Sequence, residues 1–230
     1  MEFKKNDYTV ISTLLAHESR EHLESIGVHV FTSDVTSDED AESLRDSVEK
    51  LTGGMLDVLV NNAMFAVNVF GPMRMVRVFH KMIVAAQGTI VNIGSVGGIV
   101  PYIYGAAYNA SKAALHHWGN TLRAELKPFG VRVLVVISGE VGTNILKRDS
   151  GRMLPEGIVS PSQTPPSEFQ AHINRVPSTT TPAVYAAGVF REVVKPSVGS
   201  WFWHGAQTSF VRWCDALLPR TYWNQAGLKD

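Results

Sequence analysis

An α/β fold, a doubly wound parallel sheet with helices on both faces, is what this 230-residue sequence predicts, and three observations predict it. Short β-branched apolar runs recur along the chain, amphipathic helical patterns lie between them, and the residues that close the runs are small and polar. Continuous apolar runs of five to eight residues suit strands buried on both faces, and strands alternating with helices imply parallel pairing through right-handed crossovers.

The elements follow in order. "YTVIST" (8 to 13), "VHVFTSDV" (28 to 35), "LDVLVNNA" (56 to 63), "TIVNIGS" (89 to 95) and "VRVLVVIS" (131 to 138) read as strands. A first helix in "HESREHLESIG" closes on Gly27. A second spans 36 to 54, where Thr36 and Glu39 have capping-box spacing, Ala41, Leu44, Val48 and Leu51 share a face, and Gly53 and Gly54 stop it. A third covers Val67 to Ala86, and a fourth runs from Ala107 to Lys127 with Leu115, Trp118, Leu122 and Leu126 on its apolar side before Pro128. Ser138 to Thr180 is rich in Pro, Ser, Thr and Gly and reads as a long irregular segment over one sheet edge. Residues 200 to 230 form an aromatic segment with Trp201, Trp203, Trp213 and Trp223; in "QTSFVRWCDALLP", Phe210, Cys214, Leu217 and Leu218 form an apolar stripe. That stripe either lies on a membrane surface or packs against the domain, a subunit or substrate.

Composition narrows the function. No linker-like run divides the chain, so residues 1 to 230 are read as one domain. Lys plus Arg and Asp plus Glu are 21 each, which gives no basic surplus for nucleic acid. Cys214 is the single cysteine, which favours a reducing, cytoplasmic setting, with peripheral contact to intracellular membranes through 200 to 230 left open. Lys4 and Lys5 before "YTVISTLLA" loosely imitate a secretory signal, but Glu2 and Asp7 interrupt the basic region and the run suits a strand. The adjacent His116 and His117 face different directions on a helix and have no third ligand at local spacing, so no metal site is expected and packing or surface roles are favoured.

Parallel sheets bind ligands beyond the carboxyl ends of their strands. The sequence places Ser12, Thr13, Asp34, Asn61 to Ala63, Gly94, Ser95 and Ser138 to Thr143 there. In "YNASKAALHHW", Tyr108 and Lys112 stand one helical turn apart, a spacing that chance alone can supply. Ser95 at a strand end and Asn68 at the start of a helix give the pair company. Hydroxyl, phenol, ammonium and amide together suit carbonyl reduction: a nicotinamide brings hydride, and a phenol whose pKa a nearby cation lowers delivers the proton.

At these residues the sequence resembles the short-chain dehydrogenase/reductase family: "NNA" at 61 to 63, Asn68 in "VNVFG", Ser95, "YNASK", and "SGEVGT" at 138 to 143, with Ser138 where the family has proline. The resemblance implies a Rossmann-like sheet, Ser95, Tyr108, Lys112 and Asn68 as catalytic residues, and Asn68 holding a link from Lys112 to solvent. It places Asp34 near the adenine, Asn61 near the adenosine ribose, Tyr108 and Lys112 at the nicotinamide ribose, and Val141 and Thr143 at the carboxamide. The stretch from Lys81 to Val133 resembles fungal NADPH-dependent 1-acyldihydroxyacetone phosphate reductases and related secondary-metabolite reductases. That implies NADP(H), reduction of a ketone of a lipophilic small molecule or the reverse oxidation, and homo-oligomers through the helices at 67 to 86 and 107 to 127.

The pattern is also broken. No glycine precedes Gly27, so the chain is expected to start at the family's second strand, without the first strand and the glycine-rich phosphate turn. The absent strand would lie between those starting at Tyr8 and Leu56, and the sheet is expected to have a hole there or to re-pair. Asn61 and Asn68 are only seven residues apart, and "NNAM" replaces the usual Asn-Asn-Ala-Gly. Leu15 and Ala16 stand where NADP-preferring relatives carry arginines, and no acidic residue favouring NAD ends that strand, so NADP rests on the subfamily resemblance. Two readings follow: an NADP(H)-dependent reductase, or a catalytically inactive truncated remnant that binds no cofactor.

Overall fold

The computed structural model describes residues 2–61, 66–101, 105–142, 179–219 and 221–226. Its strands are β1 (Ile11–Leu14), β2 (His29–Thr32), β3 (Val58–Asn61), β4 (Thr89–Ile93), β5 (Arg132–Ser138) and β6 (Trp201–His204). Its α-helices are α1 (Glu2–Lys5), α2 (Glu21–Ser25), α3 (Asp38–Thr52), α4 (Gly71–Ala85), α5 (Ala106–Leu126), α6 (Pro182–Val193), α7 (Thr208–Leu217) and α8 (Thr221–Ala226).

Five of the six strands were expected, and every strand pair is parallel. β3, β4, β5 and β6 form one sheet in that order, while β1 and β2 pair only with each other. The expected hole is therefore present among the described residues: nothing pairs with the outer edge of β3, and Val60 on it is 48% exposed. The sixth strand, the aromatic run Trp201–His204, is a correction to the reading of 200 to 230 as one aromatic segment.

β4 and β5 form the axis of the core. Ile90, Val91 and Val133 to Ile137 are almost wholly buried, and alternate residues point to opposite faces. Ile90 and Val133 pack with α3, α4 and Leu122 of α5, whereas Val91, Leu134 and Val136 pack with Val189 and Val193 of α6. On that second face Phe3 of α1 sets its ring edge-on to Phe190 at 5.0 Å and Tyr8 at 5.3 Å, which ties the N-terminal residues to α6.

α3 shows how local sequence sets an element. Ser37, not Thr36, is its N-cap and accepts from the Asp40 N–H; Thr36 instead donates its N–H and hydroxyl to Asp34 Oδ1, so the capping position lies one residue later than the spacing suggested. Asp38, Glu39 and Asp40 meet the positive end of the helix dipole, and Gly53, at φ 65°, takes the left-handed turn that ends it. Ala41, Leu44 and Val48 are buried as expected, while Leu51 is 40% exposed.

α3 also joins the two sheets. Ala41, Leu44 and Val48 share one apolar cluster with Met75, Phe79, Met82 and Ile83 of α4 and with Ile90 of β4; Ile11 of β1 and Phe31 of β2 border it. Above the cluster, Arg74 and Arg77 both reach Asp38 Oδ1 at 2.5 Å, and Arg74 Nη1 donates to the Val35 carbonyl at 2.9 Å. These exposed ion pairs add little, and burial of the cluster supplies the cohesion.

The stripe expected in α7 is corrected. Val211 and Thr208 are its buried residues and Cys214 is half-buried beside them, whereas Phe210, Trp213 and Leu217 are exposed on the other side. Among the described residues no helix is long and apolar enough to cross a membrane.

Phe79, 2% exposed, stands where α3, α4 and β4 meet. A Phe79→Ala variant should lose about 3–5 kcal/mol of unfolding free energy in urea. A loss below about 1 kcal/mol would show that the cluster does not join the two sheets.

Candidate active site

The site forms where β4 ends. Ser95 follows the strand with extended backbone (φ −157°, ψ 149°) and caps a 3-10 turn, Val96–Gly98, its Oγ accepting from the Gly97 N–H at 3.0 Å. That bond fixes the hydroxyl at the carboxyl end of the sheet.

α5 brings the phenol and the ammonium to the same end. Rich in Ala and Leu and free of proline, it runs as one helix for 21 residues, so positions 108 and 112 share a face. Lys112 is buried, and its Nζ donates to the Ile93 carbonyl at 2.9 Å, a carbonyl at the very end of β4. The same Nζ stands 5.8 Å from the centroid of the Tyr108 ring. Tyr108 is 39% exposed, in contrast to the buried Lys112.

Asn68 arrives from a rarer device. It lies within a π-helical turn, Ala66–Phe70, that leads into α4, the kind of local widening that frequently marks functional sites. It is 1% exposed, and its Nδ2 donates to Ser111 Oγ at 2.8 Å; Ser111 in turn donates to the Tyr108 carbonyl at 2.7 Å. Asn68 therefore braces the turn of α5 that carries Tyr108. Ser111 is a site residue that sequence reasoning missed; its place inside "YNASK" was the available signal.

The electrostatics depart from the simple picture of a lysine lowering a tyrosine. Burial pushes the Lys112 ammonium down to about 8. Burial also holds the Tyr108 phenol above its ordinary value, with a hydrogen bond to the Ser95 side chain acting in the opposite direction. Desolvation outweighs the tuning expected from the spacing, and the phenol is kept in its proton-bearing form.

The remaining sequence-predicted positions are spread along the strand ends. Asp34 follows β2, and its carboxylate, held below the usual range by the Thr36 bonds, is engaged in the turn before α3. Asn61 ends β3 opposite Asn92 of β4. Val141, beyond β5, makes a parallel bridge with Thr180. Thr143 and most of the expected segment over 138 to 180 lie outside the described residues. Ser138 ends β5 with its hydroxyl 2.5 Å from the Tyr185 hydroxyl of α6, a second phenol at the sheet end that sequence reasoning also missed. Among the described residues no group of three His, Cys, Asp or Glu side chains is placed to hold a metal ion.

Residues 2–153 match the family model described as short chain dehydrogenase, well over half the chain. The chain belongs to the short-chain dehydrogenase family. It is 51% identical over 244 residues to short-chain dehydrogenase RED1 of Pyricularia oryzae, covering 96% of this chain and 85% of that relative. It is 30% identical over 250 residues to the NADPH-dependent 1-acyldihydroxyacetone phosphate reductase of Schizosaccharomyces pombe, covering 95% and 86% of the two chains. The solved structure of a short-chain dehydrogenase from Streptomyces avermitilis superposes with a TM-score of 0.76 at 25% identity, over 97% of this chain and 89% of that one. This short-chain dehydrogenase thus shares the Rossmann-like sheet of its family, and it is an oxidoreductase.

The Lys112 shift carries a sign that can be measured. Its folded value, about 8, lies below the ordinary 10.5, so the folded chain binds fewer protons between those limits and gains stability as pH rises through them. The unfolding free energy of the wild type minus that of Lys112→Met should rise by on the order of 3 kcal/mol between about pH 7 and 11. A difference that stays flat across this window in denaturant titrations would contradict the buried ammonium.

Proposed function

We propose that the chain is an NADP(H)-dependent carbonyl reductase acting on a ketone of a lipophilic small molecule, or on the corresponding alcohol in reverse. The observation that carries the reading is the convergence of the Ser95 hydroxyl, the Tyr108 phenol and the Lys112 ammonium at the end of β4, with Asn68 bracing the phenol through Ser111.

The residues present fit the reacting half of a nicotinamide nucleotide. Tyr108 is partly exposed, the Lys112 ammonium stands 5.8 Å from its ring centroid, and Ser95 and Val141 follow the carboxyl ends of β4 and β5. Lys112 and Tyr108 would hold the ribose, Val141 and Thr143 the carboxamide, Asn61 and Asp34 the adenosine half. No glycine precedes Gly27, and the Leu15 N–H at the end of β1 donates to Glu18 Oε2 at 2.9 Å. The nucleotide, when bound, supplies the hydride.

The chain's own residues do the rest. Ser95 Oγ, oriented by the Gly97 N–H, donates to the substrate oxygen and lines the carbonyl up against Tyr108. Tyr108 gives its proton to that oxygen as negative charge builds on it. Lys112, positive just behind the ring, stabilises the phenolate left behind. NADP rather than NAD, and a lipophilic substrate, are supported by the name of the Schizosaccharomyces pombe relative and by the resemblance of the segment around α5.

The separation of β1 and β2 from the main sheet keeps a second reading in play, that of a chain without cofactor affinity. Titration with NADPH, followed by nucleotide fluorescence, and oxidation of NADPH with lipophilic ketones decide between them. The reductase reading expects saturable binding and turnover, and expects Tyr108→Phe to lower kcat by about 10²–10⁴-fold with an unchanged circular dichroism spectrum. No binding and no turnover would leave the remnant; turnover that survives in Tyr108→Phe would reject the proton donor.

A further inference from the structure

We infer that His116 is a positioning residue that sets the backbone of Ser95, its neutral imidazole serving as the hydrogen-bond acceptor that takes over where the sheet ends. The β4–β5 ladder stops with the Gly94 N–H, which donates to the Val136 carbonyl at 2.8 Å. The next N–H along the chain, that of Ser95, donates to His116 Nε2 at 3.1 Å. Ser95 is thus held by two bonds, one through its N–H and one through its Oγ. Its hydroxyl can sit in one place only while both are made.

The ring is built into this turn and not merely near it. His116 is 3% exposed, and a Cβ on Gly94 would stand 2.4 Å from its Nε2, while one on Gly98 would stand 2.5 Å from its Cε1. Only glycines at both ends of the Ser95 turn leave the slot that the imidazole fills. Trp201 of β6 lies against the ring, with centroids 5.5 Å apart, and is itself fixed by donation from its Nε1 to Asn120 Oδ1 at 2.9 Å.

An Nε2 that accepts requires the proton on Nδ1 and a neutral ring. Burial and the charge of Lys112 one turn away push the imidazolium down to about 4, which keeps Nε2 an acceptor throughout the neutral range. Asp215 of α7 and His117 border the same cavity of about 310 Å³ beside the ring.

The inference rests on the reading of Ser95 as the partner of the substrate oxygen, and the test separates the two. His116→Gln, whose amide oxygen can take the place of Nε2, should retain at least about a third of kcat, whereas His116→Leu, of similar bulk without an acceptor, should lose about 10–100-fold in kcat at an unchanged KM for NADPH. If the wild type turns over and Tyr108→Phe does not, but the Leu and Gln variants fall alike or the Leu variant stays within twofold of wild type, this inference fails alone. If the wild type shows no turnover, the functional reading fails and takes this one with it. Imidazole ¹⁵N spectra of the wild type give a readout independent of activity and of how the variants fold. The Nδ1–H neutral form is expected from about pH 5.5 to 8.5; a ring protonated on Nε2 would overturn the inference.

Discussion

One buried ammonium organises the site. Lys112 Nζ bonds the Ile93 carbonyl, the last of β4, and by doing so pins the start of α5 to the strand end from which Ser95 emerges. The partner is a neutral carbonyl, so the charge is held at a cost, and that cost is visible in the fall of its pKa to about 8. A helix free to slide would leave Tyr108 and Ser95 on separate elements with no fixed relation. With the bond in place, phenol, hydroxyl and ammonium keep one geometry, which is the condition for catalysis by orientation.

Around that point the chain uses backbone bonds where a sheet can no longer supply them. Asn68 reaches Tyr108 through Ser111, Gly97 orients the Ser95 hydroxyl, and His116 receives the Ser95 N–H. Asn68, Ser111 and His116 are almost fully buried, so little slack remains. The gap beside β3 lies on the other side of the molecule's main sheet from β6, and the Ser95 turn depends on β4, β5 and α5. Ser95, Tyr108 and Lys112 are therefore held independently of the β1–β2 pair.

Much of this was legible in the sequence, and the reasons differ by element. β3, β4 and β5 announced themselves as β-branched runs because both faces are buried, and α5 because its apolar residues recur at helical spacing over 21 positions. The separation of β1 and β2 from the main sheet matches the gap expected between the strands starting at Tyr8 and Leu56. β6 escaped because four aromatic residues ending in histidine carry no alternation, and the split of α7 into a buried Val211 side and an exposed Phe210 side depends on packing that periodicity cannot assign. The cap of α3 shifted by one residue because Thr36 was drawn to Asp34. Ser95, Tyr108 and Lys112 were singled out by type, spacing and family resemblance, but His116 was not, since a helix residue meets a turn twenty-one positions upstream only in the folded chain.

The central claim is that this chain transfers hydride to a carbonyl at the end of β4. Deuteride transfer tests it most directly. Incubation with NADPH deuterated at both C4 positions and a lipophilic ketone, followed by mass spectrometry and proton NMR of the alcohol, should show a single deuterium on the carbinol carbon. Recovery of unlabelled ketone alone, or of an alcohol without deuterium at that carbon, would contradict the account.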